Sequence, residues 1–143
     1  MQVKELMTRE VKGIPTTATV RQAAQKMAAI NVGALPVARD QKLVGMLTDR
    51  DITVRVLGEN LNPDETTVEK VMTPDVFTLS EDQDVSDAGK DMRDQQVRRA
   101  PVTNSNGQLV GIVSLGDLAL KYDDPQLSGH VLKGISEPAA PRV

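Results

Sequence analysis

The sequence predicts a mixed α/β (α+β) fold built from two copies of one strand–helix–strand–strand–helix unit, packed together with pseudo-twofold symmetry. Three observations carry that prediction. First, the chain repeats itself: Val3-Lys4-Glu5-Leu6-Met7-Thr8 recurs as Val68-Glu69-Lys70-Val71-Met72-Thr73. Second, short apolar runs alternate with one amphipathic helical pattern in each copy. Third, each copy closes on glycine, two apolar residues, a hydroxyl residue, two variable positions and aspartate. These are GMLTDRDI at 45–52 and GIVSLGDL at 111–118.

The same shift of 65 residues maps Val11 to Val76, Val20 to Val85, Ala23 to Ala88, Met27 to Met92 and Pro36-Val37 to Pro101-Val102. The shift then becomes 66, because the turn TNSNGQ (103–108) is one residue longer than ARDQK (38–42). A single added residue in a polar turn is what loop drift after duplication leaves.

Taken in order, Val11 to Ile14 reads as a short strand. Thr19 is placed to cap a helix over Val20 to Ile30, with Val20, Ala23, Ala24, Met27 and Ile30 on one face. Asn31 to Gly33 ends that helix, Ala34 to Ala38 forms a strand, and a turn at Arg39 to Gln41 leads to the strand Leu43 to Leu47. A helix from Asp49 to about Leu57 follows, with Gly58 placed to end it. The second copy repeats this order: strand 76–79, helix 85–95, strands 100–103 and 109–113, and helix 115–121. NLNPDETT (60–67) has the composition of a linker. Asp124-Pro125 opens a last short helix expected to end before Gly134, and 135–143 reads as a frayed tail. The expected domains are therefore 1–62 and 63–123, followed by an extension, 124–143. A unit of this size buries little core alone, so the two are expected to pack together.

Composition narrows the function. The 143 residues carry a net charge of −3, with 39% hydrophobic and 26% charged residues. That balance fits a soluble globular protein and disfavours a nucleic-acid partner. No cysteine is present, which removes disulfides, thiol catalysis and cysteine-based zinc sites. No apolar run is long enough for a membrane span, and the start lacks the apolar core of a signal peptide, so a cytoplasmic location is expected. Phe77 and Tyr122 are the only aromatic residues, so a flat base would be held by aliphatic side chains and backbone rather than stacked.

The opening Val-x-x-Leu/Val-Met-Thr, then Gly-Ala-Leu-Pro-Val or Arg-Arg-Ala-Pro-Val, then a hairpin and Gly-φ-φ-Ser/Thr-x-x-Asp together resemble a tandem pair of cystathionine-β-synthase (CBS) domains, a Bateman module. The resemblance spans residues 1 to about 120. It is nearest to the stand-alone prokaryotic type that includes the hypoxic response protein. It implies a regulatory, non-catalytic module that binds adenosine-containing ligands in inter-domain clefts. AMP, ADP and ATP lead that class, with S-adenosylmethionine and NAD also in it. It further implies association into a disc-like homodimer, and an effector protein as a further partner.

Thr48-x-x-Asp51 and Ser114-x-x-Asp117 have a plain structural explanation as capping boxes, although Asp is shorter than the usual Glu or Gln. Their duplication favours a ligand role as well. A helix start suits phosphate, and a carboxylate one turn in suits the two ribose hydroxyls. By resemblance the hydroxyl residue touches phosphate and the aspartate binds ribose. The resemblance also implies that Arg98 and Arg99, from the preceding strand edge of the same unit, lie beside Ser114, Gly116 and Asp117, where they suit phosphate neutralisation, the bland alternative being a solvated loop. The first copy has uncharged Gly33 and Ala34 there; either Arg50 inside its motif compensates, or that cleft favours a less charged ligand. By the same resemblance Ile14, Pro15, Thr16 and the backbone near Ala34 and Leu35, from the other unit, are expected to line the adenine pocket. The Ser114/Asp117 cleft is therefore the favoured nucleotide site.

Other candidates carry less. His130 is the only histidine and reads as solvated or partner-facing. Asp123-Asp124 is a weak candidate for a divalent ion. Met7, Met27, Met72 and Met92 read as core. No catalytic triad, Walker loop or GxGxxG is present. The competing function is a constitutive dimeric scaffold with vestigial clefts.

Overall fold

The computed structural model describes residues 1–138 and contains two four-stranded sheets, each with its own core. The elements are α1 (Val3–Leu6), β1 (Thr8–Arg9), β2 (Ile14–Pro15), α2 (Val20–Ile30), β3 (Ala34–Arg39) and β4 (Lys42–Thr48). Next come α3 (Asp49–Asp51), which continues as a π-helical turn over Ile52–Leu57, then α4 (Val68–Val71) and β5 (Thr73–Pro74). The second half comprises β6 (Leu79–Ser80), α5 (Val85–Gln95), β7 (Arg99–Thr103), β8 (Leu109–Ser114), α6 (Leu115–Lys121) and α7 (Pro125–Ser136). The mixed α+β class and the repeated unit are as the sequence predicts.

The compact units do not follow the sequence boundaries 1–62 and 63–123. One unit, here called the Thr48 unit, is Lys12–Val76 with Gly107–Leu109. The other, the Ser114 unit, is Met1–Val11, Phe77–Asn106 and the chain from Val110 onward, which includes the extension. Each repeat's opening segment thus folds into the other repeat's unit. In the Ser114 unit β1 pairs antiparallel with β8, giving the order β1-β8-β7-β6. In the Thr48 unit β5 pairs antiparallel with β4, giving β2-β3-β4-β5.

Burial explains why the exchanged segments are held. Val3, Leu6 and Met7 belong to the core of the Ser114 unit, with Leu79, Met92, Val102 and Leu118. Val68 and Val71 belong to the core of the Thr48 unit, with Val20, Leu35, Leu47 and Val56. Each fully buried aliphatic side chain contributes about 1.5–3 kcal/mol of transfer free energy. The glycine of each motif makes the pairing fit. A β-carbon on Gly45 would lie 2.7 Å from both Met72 Sδ and the Thr73 carbonyl. One on Gly111 would lie 2.6 Å from Met7 Sδ and 2.8 Å from the Thr8 carbonyl. Close approach of the exchanged edge strand is therefore what these glycines permit.

Local signals mostly act as expected. Thr19 accepts the Gln22 N–H, and the Gln22 side chain reaches back to the Thr19 N–H, a complete capping box on α2. Asn31 and Gln96 close α2 and α5 in the left-handed conformation. Asp40 and Gln41, both at positive φ, make the tight turn between β3 and β4. Met7, Met27 and Met92 are buried, and Met72 packs against the core of its unit.

Gly58 ends the helical stretch, as expected, in right-handed geometry at φ −63°. A β-carbon there would meet the Val54 carbonyl at 2.3 Å, so space around the π-helical turn demands glycine. The segment 60–67 is docked rather than free: Val20 donates to the Thr66 carbonyl, Thr66 is buried, and Arg21 pairs with Asp64. Finally, α7 runs through Gly134 to Ser136, so only residues 139–143 of the anticipated tail lie outside the described residues. Asp124 caps α7 by accepting the Leu127 N–H at 3.0 Å, which gives its carboxylate a structural task in place of an ion.

Candidate functional site

Both capping boxes form, and the short aspartate reaches fully, contrary to the expectation from side-chain length. Ser114 Oγ accepts the Asp117 N–H at 3.1 Å, and Asp117 Oδ2 accepts the Ser114 N–H at 2.8 Å. Thr48 and Asp51 make the same reciprocal pair at 3.0 and 2.9 Å. In each unit a strand (β8 or β4) delivers the hydroxyl residue in extended geometry, and the following helix brings the aspartate round one turn.

Each aspartate is largely buried and also faces a cation four residues on. Lys121 Nζ lies 3.0 Å from Asp117 Oδ1 and donates to the Leu6 carbonyl at 3.1 Å. Arg55 Nε lies 3.9 Å from Asp51 Oδ1, and its Nη1 donates to the carbonyls of Val71 and Met72. The repeat-equivalent cations thus tie the motif aspartate to the exchanged opening segment of the same unit. Sequence reading missed Lys121 and Arg55. Their signal was a cation at i+4 from the motif aspartate in both copies.

The acceptor capacity of Asp117 can be counted. A carboxylate offers about four lone-pair sites. Oδ2 takes the Ser114 N–H and the Ser114 hydroxyl (3.1 Å), and Oδ1 takes Lys121. One site stays open on Oδ1. A second opens on Oδ2 when the Ser114 hydroxyl turns away, which is the arrangement a cis-diol would need.

The surroundings separate the two units. In the Ser114 unit the Leu115 N–H donates to the Arg98 carbonyl at 2.8 Å, holding Arg98 beside the motif. Arg98 and Arg99 are exposed, and among the described residues neither guanidinium has an acidic or hydrogen-bonding partner. They border a pocket of about 530 Å³ together with Ser114, Leu115, Gly116 and Ala119, and with Ser128, Gly129 and Leu132 of α7. No carboxylate lines it. In the Thr48 unit the Asp49 N–H makes the equivalent bond to the Gly33 carbonyl at 2.9 Å. A β-carbon on Gly33 would sit 3.0 Å from Asp49 Oδ2, so an acid occupies the neighbourhood that the other unit gives to arginine. Arg50 is exposed and contributes its backbone N–H to Asp49 Oδ1.

The remaining predicted residues all lie in the Thr48 unit. Ala34 pairs directly with Thr48 across β3 and β4. Ile14 and Pro15 pair with Val37 and Ala38, roughly 10 Å further along β3 at the usual rise per residue. Ile14, Thr16 and Ala34 are buried and Pro15 is exposed. Within this unit, then, Ala34 joins the Thr48 motif and the Ile14-Pro15-Thr16 run does not. Sequence reading missed Ser128, Gly129 and Leu132, because α7 lies outside the repeat. No group of three or more His, Asp or Glu side chains able to hold a metal occurs among the described residues. No described helix is long and apolar enough to cross a membrane.

Comparison with known proteins identifies a family and a shared fold. The family model of the CBS domain matches residues 3–58 and 68–124. The chain is 38% identical over 134 residues to the CBS domain-containing protein YhcV of Bacillus subtilis, covering 94% of each chain. It is 32% identical to Hypoxic response protein 1 of Mycobacterium tuberculosis, covering 96% of this chain and 95% of that one. A crystal structure of Hypoxic Response Protein I with two coordinated zinc ions superposes with a TM-score of 0.76 at 32% identity, over 83% of this chain and 97% of that one. The CBS domain protein PAE2072 from Pyrobaculum aerophilum, complexed with AMP, gives a TM-score of 0.73 at 26% identity, over 93% and 99%.

Proposed function

Because the chain belongs to the CBS-domain family and carries the domain twice, we propose that it is a regulatory binding module for adenine nucleotides, acting without catalysis of its own. Its principal phosphate-binding side is the Ser114 unit. The observation that carries this reading is the pair of unpartnered guanidiniums, Arg98 and Arg99, bordering a pocket without carboxylates beside the Ser114–Asp117 pair. Two fixed positive charges and a hydroxyl suit a phosphate, and the turned Ser114 hydroxyl leaves Asp117 two acceptor sites for ribose. α6 has only 7 residues, so its dipole adds little and the arginines carry the charge complementarity. The AMP complex of PAE2072 supports the ligand class. Ile14, Pro15, Thr16 and Ala34 remain the candidates for adenine contact, and Thr48, Arg50 and Asp51 for a second, weaker site. S-adenosylmethionine and NAD stay within the ligand class to be tested.

Sensing requires that ligand favour one conformation over another. The link from Asp117 through Lys121 to the Leu6 carbonyl offers a physical route from ligand to exchanged segment. The experiment is a spectrum of freshly purified protein followed by nucleotide titration. With one Tyr and no Trp, the protein absorbs little itself, so bound adenine would dominate. Adenine in the spectrum and saturable binding of AMP, ADP or ATP are expected. Absence of binding by every adenosine compound at millimolar concentration contradicts the reading.

A second reading, a homodimeric scaffold, rests on Val54 and Leu120, repeat-equivalent apolar residues 50% and 88% exposed. Sedimentation with and without nucleotide separates the two. A dimer indifferent to ligand supports the scaffold, and a ligand-dependent state or effector contact supports the sensor.

A further inference from the structure

α7 follows the second repeat, and the CBS-domain match ends at residue 124 where this helix begins. One of its faces is anchored on α5. Leu127 packs where a β-carbon on Gly89 would lie 3.1 Å away, and Gln96 donates to the Gly134 carbonyl at 3.1 Å. The adjoining face presents Ser128, Gly129 and Leu132 to the pocket of Arg98, Arg99 and Ser114. Glycine is a poor helix former, so a glycine in the middle of α7 calls for a reason. Gly134 has one, since a β-carbon there would lie 2.2 Å from Arg93 Cγ. Gly129 does not: nothing lies within 4 Å of where its β-carbon would be. Gly129 instead borders the same pocket as Arg98 and Arg99.

We propose that α7 forms the outer wall of this ligand pocket and that Gly129 sets how long a phosphate chain the pocket accepts, favouring adenosine di- and triphosphates over the monophosphate. The inference rests on the reading of the Ser114 unit as the phosphate-binding side. A volume of about 530 Å³ falls in the range of small-molecule sites. Two arginines without a competing carboxylate suit a polyanion better than a single phosphate. Gly129 leaves room where the chain of phosphates would extend, and Ser128 offers a hydroxyl beside it.

Calorimetric titration of wild type, Gly129→Leu, Gly129→Ala and Ser128→Glu with AMP, ATP and tripolyphosphate tests this. Wild type is expected to bind ATP more tightly than AMP. Gly129→Leu should weaken ATP and tripolyphosphate by about tenfold or more while AMP changes by less than about twofold. Gly129→Ala, whose side chain is smaller, should weaken ATP less than Gly129→Leu does, and it should melt at a higher temperature, because helix propensity rises. Ser128→Glu, which adds a charge without bulk at Gly129, should also weaken ATP more than AMP. Equal losses for AMP and ATP, or no loss in either Gly129→Leu or Ser128→Glu, would overturn the proposal. If tripolyphosphate binds in a Gly129-dependent way while no adenosine compound binds, the wall stands and the adenine-nucleotide reading falls. If ATP binds but ignores α7, the adenine-nucleotide reading stands and the wall falls.

Discussion

The Ser114 and Thr48 units share a motif and differ in what surrounds it. Both present a hydroxyl–aspartate capping pair at the end of a strand. Both hold the aspartate with a cation at i+4 that also grips the exchanged segment. Around that frame the Ser114 unit places Arg98, Arg99, Leu115 and Gly116, and the Thr48 unit places Gly33, Ala34, Asp49 and Arg50. One neighbourhood gains two positive charges, while the other balances one acid against one base. Duplication preserves the capping pair, because the cap stabilises the helix whether or not ligand is present. Divergence is then free to act on flanking positions, where charge alone decides affinity for an anion.

The sharpest way to break this comparison is to remove the charge difference. Arg98→Ala with Arg99→Ala deletes two charge-assisted contacts worth about 1.5–3 kcal/mol each, so nucleotide affinity should fall by about a hundredfold or more. Arg50→Ala should change it by less than about threefold, since Arg50 belongs to the Thr48 unit, next in sequence to the acid Asp49. Titration of both variants reads the contrast, and equal losses would mean that the units are equivalent.

A second prediction sharpens the comparison through the exchanged segments. Leu6→Ala, in the first repeat by sequence, should cost about 2–5 kcal/mol, as buried Leu-to-Ala changes do. It should loosen the Ser114 unit, whose core holds Leu6. Thermal melts give the size, and hydrogen exchange gives the place: faster in α5, β7 and β8, and unchanged in α2, β3 and β4. The opposite pattern would place Leu6 with its own repeat.

The smallest effect concerns the surface. Lys4 is raised above its ordinary value by its hydrogen bond to Asp82. A raised ammonium stabilises the fold below the unfolded lysine value and loses that contribution as pH rises through the folded one. Both side chains are exposed, so Asp82→Asn at neutral pH should leave the melting temperature unchanged within error. A clear drop would show that α1 is held by charge rather than by Val3 and Leu6.

Much of this was legible in the sequence. The repeat, α2 with its Thr19 cap, the two hairpins and both hydroxyl–aspartate pairs could be read from spacing and residue type. The exchange of α1 and α4 could not, because four-residue helices and two-residue edge strands have no local stability and form only against a partner. Gly45 and Gly111 were the available clue, as glycines inside apolar strands mark close backbone approach. The π-helical turn after Asp51 left no pattern distinct from an α-helix. The part of the pocket on α7 was hidden for another reason: Ser128, Gly129 and Leu132 have no counterpart in the first repeat, so comparison of the copies could not reveal them.

The central claim is that the Ser114 unit carries the principal nucleotide site, and calorimetric titration of Asp117→Ala against Asp51→Ala tests it most directly. AMP, ADP, ATP and S-adenosylmethionine would each be titrated into wild type and both variants. The account predicts that Asp117→Ala loses the tighter binding event while Asp51→Ala retains it. Normal binding by Asp117→Ala together with loss in Asp51→Ala would contradict it.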